Sequence, residues 1–278
     1  MIHSIIRKIL RREPFKGQFR IFSWLYNSGR LKNIKTIAKP ITGNFRIHLN
    51  TRNYIECAIY YIGDYEFTAK QYFKKYINKG NTIIDVGANI GFHTLYFAEL
   101  TGMSGKVIAI EPIPVNIRSL RNNVALNGLS NVQIYERAFA NENKTLNIHI
   151  DQAEKNPGSF NLYDHKDQNT EIICVKGDDL LNEIGAGKID FIKIDVEGYE
   201  FEALKGLKHT LEQSKPIIIF EFDRNYQLKN AGDPAEIFNF LVALSYSFQS
   251  LSENGIAEPF SYSESIMSTL IIATPIGT

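Results

Sequence analysis

The stretch Asn81-Thr-Ile-Ile-Asp85-Val-Gly87-Ala-Asn89-Ile-Gly91-Phe-His-Thr94 constrains this chain more than any other. A short apolar strand leads into a turn with spaced glycines, and a helical pattern follows. Glycine has no Cβ, so the backbone of such a turn can approach a ligand closely. Asp85 ends the strand, where ligands enter an open α/β sheet. The spacing Asp-x-Gly-x-x-x-Gly differs from the Gly-x-Gly-x-x-Gly that cradles a dinucleotide. It favours S-adenosylmethionine, which carries no pyrophosphate, over NAD.

Downstream, strands expected at 106–110, 132–136, 189–194 and 216–222 alternate with helices at 115–127, 200–212 and 234–245, and a last strand falls at 268–273. This alternation predicts a mostly parallel sheet with helices on both faces. An edge hairpin is expected at 145–150 and 171–175, around a polar loop. Upstream, short alternation predicts two antiparallel strands at 43–49 and 54–60, then a helix over 67–77. The chain thus divides into an N-terminal extension, residues 1–64, and an α/β domain, residues 65–278.

Composition narrows the class. Only Cys57 and Cys174 occur among the 278 residues, without metal-ligand spacing. That pattern points to a reducing compartment and no structural zinc. No apolar run reaches membrane-spanning length. Charge is uneven: the first forty residues carry ten Lys and Arg against Glu13 alone, a formal +9, leaving −8 for the remainder. Ile2, Ile5, Ile6, Ile9 and Leu10 form an amphipathic stripe, with Arg7, Lys8, Arg11 and Arg12 on the other side. Charge interrupts this stretch too early for a secretory signal. The expectation is a cytoplasmic protein whose residues 1–12 pack on their own domain or touch a membrane surface.

Several side chains suit chemistry. Glu111 ends the second strand, placed to accept bonds from both ribose hydroxyls of a nucleoside. After the third strand, Arg137-Ala138-Phe139 is where adenine would lie; Ala138 leaves room, and Phe139 stacks or packs. Lys193 sits inside an apolar strand and requires a carboxylate or a cleft. Asp195 and Glu197 follow at that strand's end, with Gly198 allowing a sharp turn and Tyr199 and Glu200 opening a helix. Glu221 ends the fifth strand and faces the same crevice. Two converging acids, Asp195 and Glu221, can orient a hydroxyl and take its proton, or hold a divalent cation that lowers the hydroxyl pKa. His93 and His209 read as helix residues bonded to a neighbour or to water.

With these residues in view, positions 65 to about 222 resemble the FkbM family of S-adenosylmethionine-dependent methyltransferases. The matching segments are Gly63-Asp-Tyr65-Glu66, Asp85 to Thr94, Val107-Ile-Ala-Ile-Glu111-Pro112, Asn122-Asn-Val-Ala-Leu-Asn127, Lys193-Ile-Asp195-Val-Glu197-Gly198-Tyr-Glu200, Leu204-Lys-Gly206 and Ile-Phe-Glu221. The resemblance implies a class I Rossmann-like methyltransferase fold: a mostly parallel seven-stranded sheet with an antiparallel last strand. It implies S-adenosylmethionine as donor and a hydroxyl of a sugar, glycan or natural product as acceptor. Glu66, Asp85, Gly87, Asn89, Gly91, Glu111 and Ala138 would hold the cofactor, with Thr94 supporting the turn, and Asp195, Glu197 and Glu221 would line the reaction centre. Asn156, Gly158 and Ser159 match a small polar segment of the family whose run of serines is broken here.

The resulting expectation is an O-methyltransferase acting on a small molecule or glycan. An RNA or protein acceptor remains open, although the −8 body disfavours a broad nucleic-acid surface. A dehydrogenase lacks its glycine fingerprint. A non-catalytic, membrane-associated module would not need to keep Asp85, Glu111, Asp195 and Glu221.

Overall fold

A computed structural model describes residues 2–12, 15–149, 169–229, 232–251 and 255–277. The chain opens with α1 (Ile2–Leu10), α2 (Gln18–Asn27), β1 (Lys35–Ala38), β2 (Ile47–Asn50), α3 (Tyr54–Tyr61) and α4 (Phe67–Tyr76). Then come β3 (Thr82–Val86), α5 (Phe92–Thr101), β4 (Lys106–Ile110), α6 (Pro114–Leu126), β5 (Val132–Tyr135), β6 (Ala138–Ala140), β7 (Lys144–Ile148) and β8 (Thr170–Lys176). The remainder is α7 (Gly177–Glu183), β9 (Phe191–Ile194), α8 (Glu200–Gly206), α9 (Lys208–Ser214), β10 (Ile217–Asp223), α10 (Arg224–Lys229), α11 (Glu236–Ala243), β11 (Tyr246–Leu251), β12 (Ala257–Pro259) and β13 (Ser268–Pro275).

The main sheet runs β12-β11-β13-β10-β9-β3-β4-β5. Its strands β5, β4, β3, β9 and β10 pair in parallel. The last strand, β13, slots antiparallel between β10 and β11. Six of these are the strands expected from pattern, β11 brings the sheet to the seven that the resemblance implies, and the three-residue β12 adds an eighth at the edge. The central strands are apolar on both faces because helices cover both. Ile84, Ile108, Ile192 and Ile218 join one core with Leu204 and Leu241. Their neighbours Ile83, Val107, Phe191 and Ile219 join the other with Phe73 and Phe97.

A small sheet, β6-β8-β7, contains the expected antiparallel hairpin of β7 and β8. The polar loop between them, with Asn156, Gly158 and Ser159, lies outside the described residues. Among the described residues, no helix is long and apolar enough to cross a membrane.

The structure corrects the N-terminal reading. Tyr54 to Tyr61 is a helix, not a strand. Cys57, Ala58 and Tyr61 are buried at helical spacing against Leu10 and Phe22, and Glu56 accepts bonds from the Asn50 amide and the Asn53 side chain. The Asn53 and Glu56 side chains thus hold each other at the start of the helix, and that pairing together with the burial of one helical face outweighs the β-rich composition. The partner of β2 is β1. The helix expected over 200–212 breaks into α8 and α9. There Gly206 lies against β6, so close that a Cβ would fall 1.9 Å from the Ala140 carbonyl oxygen.

Two polar devices tie the N-terminal elements to the sheet domain. Asn123 accepts from the His48 amide at 2.8 Å and donates to the Ile90 carbonyl at 2.8 Å. Asn127 accepts from the Arg46 amide and donates back to the Arg46 carbonyl. Near the start of α4, the buried Lys70 ammonium meets Asp64 at 2.9 Å and lies 3.8 Å from the centre of the Phe92 ring. Removing one member of a buried ion pair strands the other charge. Asp64→Ala is expected to lower the unfolding free energy by about 3 kcal/mol, measured by urea titration.

Candidate active site

The carboxyl ends of β3, β4, β9 and β10 open into a cleft of about 1180 Å³, counted out to its mouth. Gly87, Asn89, Glu111, Ala138, Asp195, Glu197, Glu221 and Glu66 all line it, together with Tyr65, Lys193 and Arg137. All the residues expected to hold a nucleoside except Asp85 and Gly91 therefore share one cavity with those expected at the reaction centre; Gly91 instead packs on Leu120, whose side chain a Cβ there would meet at 2.5 Å.

Gly87 takes a positive φ of 79° where β3 turns. A Cβ there would lie 1.9 Å from the Asp195 carbonyl oxygen. The turn after β3 and the end of β9 thus touch through backbone alone. Gly91, φ 91°, opens α5. Three non-glycine residues of the cleft also adopt left-handed backbone: Glu66, Asn89 and Glu197. Such conformations cost energy and persist where surrounding structure enforces them, often at functional sites.

Asp85 does not line the cleft. It is fully buried beneath the turn, accepting a 2.6 Å bond from Thr94 through Oδ2. Its Oδ1 has no hydrogen-bond partner, with Lys193 Nζ 3.8 Å away. Lys193 also donates to Asp195 Oδ2 at 3.0 Å and to the Gly87 carbonyl at 3.4 Å. Burial opposes its charge, but Asp195, Asp85 and Glu66 outweigh that and hold the ammonium above the ordinary lysine value.

Glu111 is buried. It accepts from the Asn89 amide at 2.8 Å, the Ile113 amide at 3.0 Å and the Asn116 side chain at 3.2 Å. Burial pushes its carboxyl up to about 7 against those bonds. Ala138 and Phe139 both border the cleft, and Phe139 also belongs to the apolar core beneath. Glu66 bonds His93 at 2.9 Å; burial opposes its charge, but the His93 bond and the charges of His93, Lys193 and Lys70 hold the carboxyl below its ordinary range.

The acids at the reaction centre behave differently. Burial, then the charge of Asp195, pushes Glu197 up to about 7, although the Tyr226 hydroxyl bonds it. Burial and the charges of Asp195, Glu66 and Glu197 push Glu221 up to about 8. Glu200 does not join them: it accepts from the Val196 and Gly198 amides and from Gln227, bracing the turn that carries Asp195 and Glu197. Glu66, Lys193, Asp195 and Glu221 also form one wall of a second cavity, about 760 Å³ to its mouth, otherwise bounded by α4, β11 and β13 residues such as Phe73, Leu251 and Thr269. Among the described residues, no group of three or more His, Cys, Asp or Glu side chains is arranged to hold a metal ion.

Sequence reasoning missed Asn116 and Tyr226. Asn116 stands five residues beyond Glu111, inside α6, a spacing that could have been read from the helix start. Tyr226 reaches Glu197 from the separate helix α10, and no local spacing signals that.

The cleft suits a sulfonium nucleoside. Glu111 supplies a buried carboxylate for hydroxyl groups, the Gly87 turn leaves a close backbone approach, and the acids bring negative charge to the junction of two cavities. Residues 85–249 match the family model for the methyltransferase FkbM domain. "Methyltransferase 1" of Beauveria bassiana is 26% identical over 188 residues, which is 60% of this chain and 74% of that protein. Methyltransferase sdnD of Sordaria araneosa is 33% identical over 155 residues, and this chain spans 45% of itself and 60% of that protein in the match. The crystal structure of an FkbM methyltransferase from Methylobacillus flagellatus superposes with a TM-score of 0.45 at 15% identity, covering 77% of this chain and 52% of the other.

Two outcomes follow from the site. Gly87→Ala forces a Cβ into the Asp195 carbonyl and is expected to weaken S-adenosylhomocysteine binding at least about tenfold by calorimetry, since neither backbone can yield cheaply. The second concerns pH. Glu111, Glu197, Glu200 and Glu221 titrate higher folded than unfolded. The folded protein therefore binds more protons from about pH 4.5 to 8, and its stability falls as pH rises through that window. The urea midpoint of the unliganded protein is expected to be higher near pH 5.5 than near pH 8.5, with a shallower slope in Glu221→Gln.

Proposed function

This chain belongs to the FkbM methyltransferase family, and on that premise we propose that it transfers a methyl group to a hydroxyl of a sugar, glycan or other small natural product seated in the second cavity. The observation that carries this reading is the shared wall: Glu66, Lys193, Asp195 and Glu221 border both cavities. Two reactants in adjoining cavities meet at one set of side chains, and holding them there supplies much of the rate.

S-adenosylmethionine supplies an electrophilic methyl on a positively charged sulfur. In this reading Glu111 grips the ribose hydroxyls, and Ala138 leaves space for the base. Asp85 acts from beneath: with Thr94 and Lys193 it holds the Gly87 turn in shape. Glu221, at about 8, is a stronger base than an ordinary carboxylate and accepts the acceptor's proton. Asp195, fixed by Lys193, orients the hydroxyl, and Glu197, held by Tyr226, adds polar support. Lys193 already brings Asp195 the positive charge that a divalent cation shared with Glu221 would bring.

The test separates binding from transfer. Glu111→Ala is expected to weaken S-adenosylhomocysteine binding at least about tenfold, the loss of charge-assisted bonds to buried hydroxyls. Glu221→Gln is expected to leave that affinity within about twofold, to slow S-adenosylhomocysteine release on a panel of sugars, glycans and alcohols by about a hundredfold, and to erase a rise of rate with pH through about 8. Equal effects of both variants on binding, or a Glu221→Gln enzyme with the parent pH profile, overturn the assignment of roles. Turnover with RNA or protein substrates and none with the panel overturns the acceptor.

A further inference from the structure

The N-terminal amphipathic stripe divides in the structure. Leu10 is buried with Phe22, Ala58 and Tyr61, and Ile6 packs beside them. Ile2, Ile5 and Ile9 stay outside, 66%, 53% and 49% exposed. Their spacing sets them on one line along α1. On α2, which packs on the same cluster through Phe22, Trp24 is 59% exposed.

The cations divide as well. Arg7 donates to the Tyr60 carbonyl at 3.0 Å and lies 4.3 Å from the centre of the Tyr60 ring. Arg11 bonds the carbonyls of Tyr60 and Lys39. Both are engaged with the protein itself. Lys8 and Arg12 are exposed. At about 100° per residue they fall beside the isoleucine line, on the side away from Leu10. Around α1 the order is packing face, exposed isoleucines, exposed cations.

A helix that only packs on its domain places polar residues where Ile2, Ile5 and Ile9 stand. An apolar strip rimmed by cations marks an interaction surface. We propose that this surface docks on an anionic lipid bilayer. Charge selects the occupant: the first forty residues carry +9 and the remainder −8, so an anionic plane attracts this end and repels the rest. Isoleucines enter the boundary of headgroups and acyl chains, while Lys8 and Arg12, with the exposed Lys16 and Arg20, meet the phosphates.

The full chain would be sedimented with vesicles of phosphatidylcholine alone and of phosphatidylcholine with one-third phosphatidylglycerol. At least about tenfold stronger partition into the anionic vesicles is expected, since each cation near such a surface contributes about 1 kcal/mol. Ile5→Ser/Ile9→Ser and Lys8→Gln/Arg12→Gln are each expected to lower partition about tenfold, by lost apolar burial and lost charge respectively. The substituted side chains are exposed, so the urea midpoint should not move. No partition, equal partition into both vesicle types, or variants that sediment like the parent overturns the proposal. So does a doubling of mass in solution that Ile5→Ser/Ile9→Ser abolishes, which would assign the face to a second copy of the chain.

Discussion

Lys193 enters the core on β9 with apolar neighbours on either side, and its ammonium meets Asp195 at the end of its own strand, Asp85 of β3 and the charge of Glu66. The pairing with Asp85 and Asp195 and the bond to the Gly87 carbonyl tie the ends of β3 and β9 together. A buried ammonium is tolerated only where opposite charge compensates its desolvation. The compensation here is shared, so the same cation that fixes Asp195 also keeps Asp85 in place beneath the cofactor turn. The close backbone approach at Gly87 depends on that arrangement, since both strand ends must stay in register for two main chains to touch without a side chain between them.

The electrostatics of the cleft follow from one ammonium facing several acids. Glu66 finds His93 as well and is held below its ordinary range. Glu197 and Glu221 lack an ion-pair partner of that kind, and burial with mutual repulsion leaves them at about 7 and about 8. Acids whose environments pull their titrations apart can carry different roles at one pH. A methyltransferase that binds a sulfonium gains from this, because the resting cleft is short of positive charge at the place where the cofactor carries it.

Much of this was legible in the chain. The Asp85–Gly91 turn, Glu111 at a strand end and the need of Lys193 for a carboxylate all followed from local pattern, because each is set within one strand and its turn; the antiparallel direction of the last strand came only with the family resemblance. What escaped depends on distant partners or on competing local signals. Asp85 was placed in the cleft, yet Thr94 and Lys193 draw it below the surface. Tyr54 to Tyr61 carries strand-like residues, but the Asn53–Glu56 side-chain bond and the burial of Cys57 and Tyr61 make it a helix. Strand β11 shows little alternation, and its pairing with β13 is what orders it. Glu200 reads in the sequence as an acid at a helix start, and its bonds to the Val196 and Gly198 amides and to Gln227 on another helix make it a brace of the preceding turn.

The asparagines of α6 have a consequence for how the molecule is put together. Asn123 and Asn127 meet the main chain of β2 at Arg46 and His48, where a neighbouring strand would otherwise bond. Side-chain amides thereby close an edge that could template further strand addition. The same Asn123 ties that edge to the Ile90 carbonyl within the cofactor turn. A version of the protein shortened to the sheet domain would lose β2, uncover the apolar seat of Phe45, Ile47 and Leu49, and leave the side-chain oxygens of Asn123 and Asn127 without their backbone donors. Such a fragment would be prone to self-association, and its glycine turn would lack one of its props.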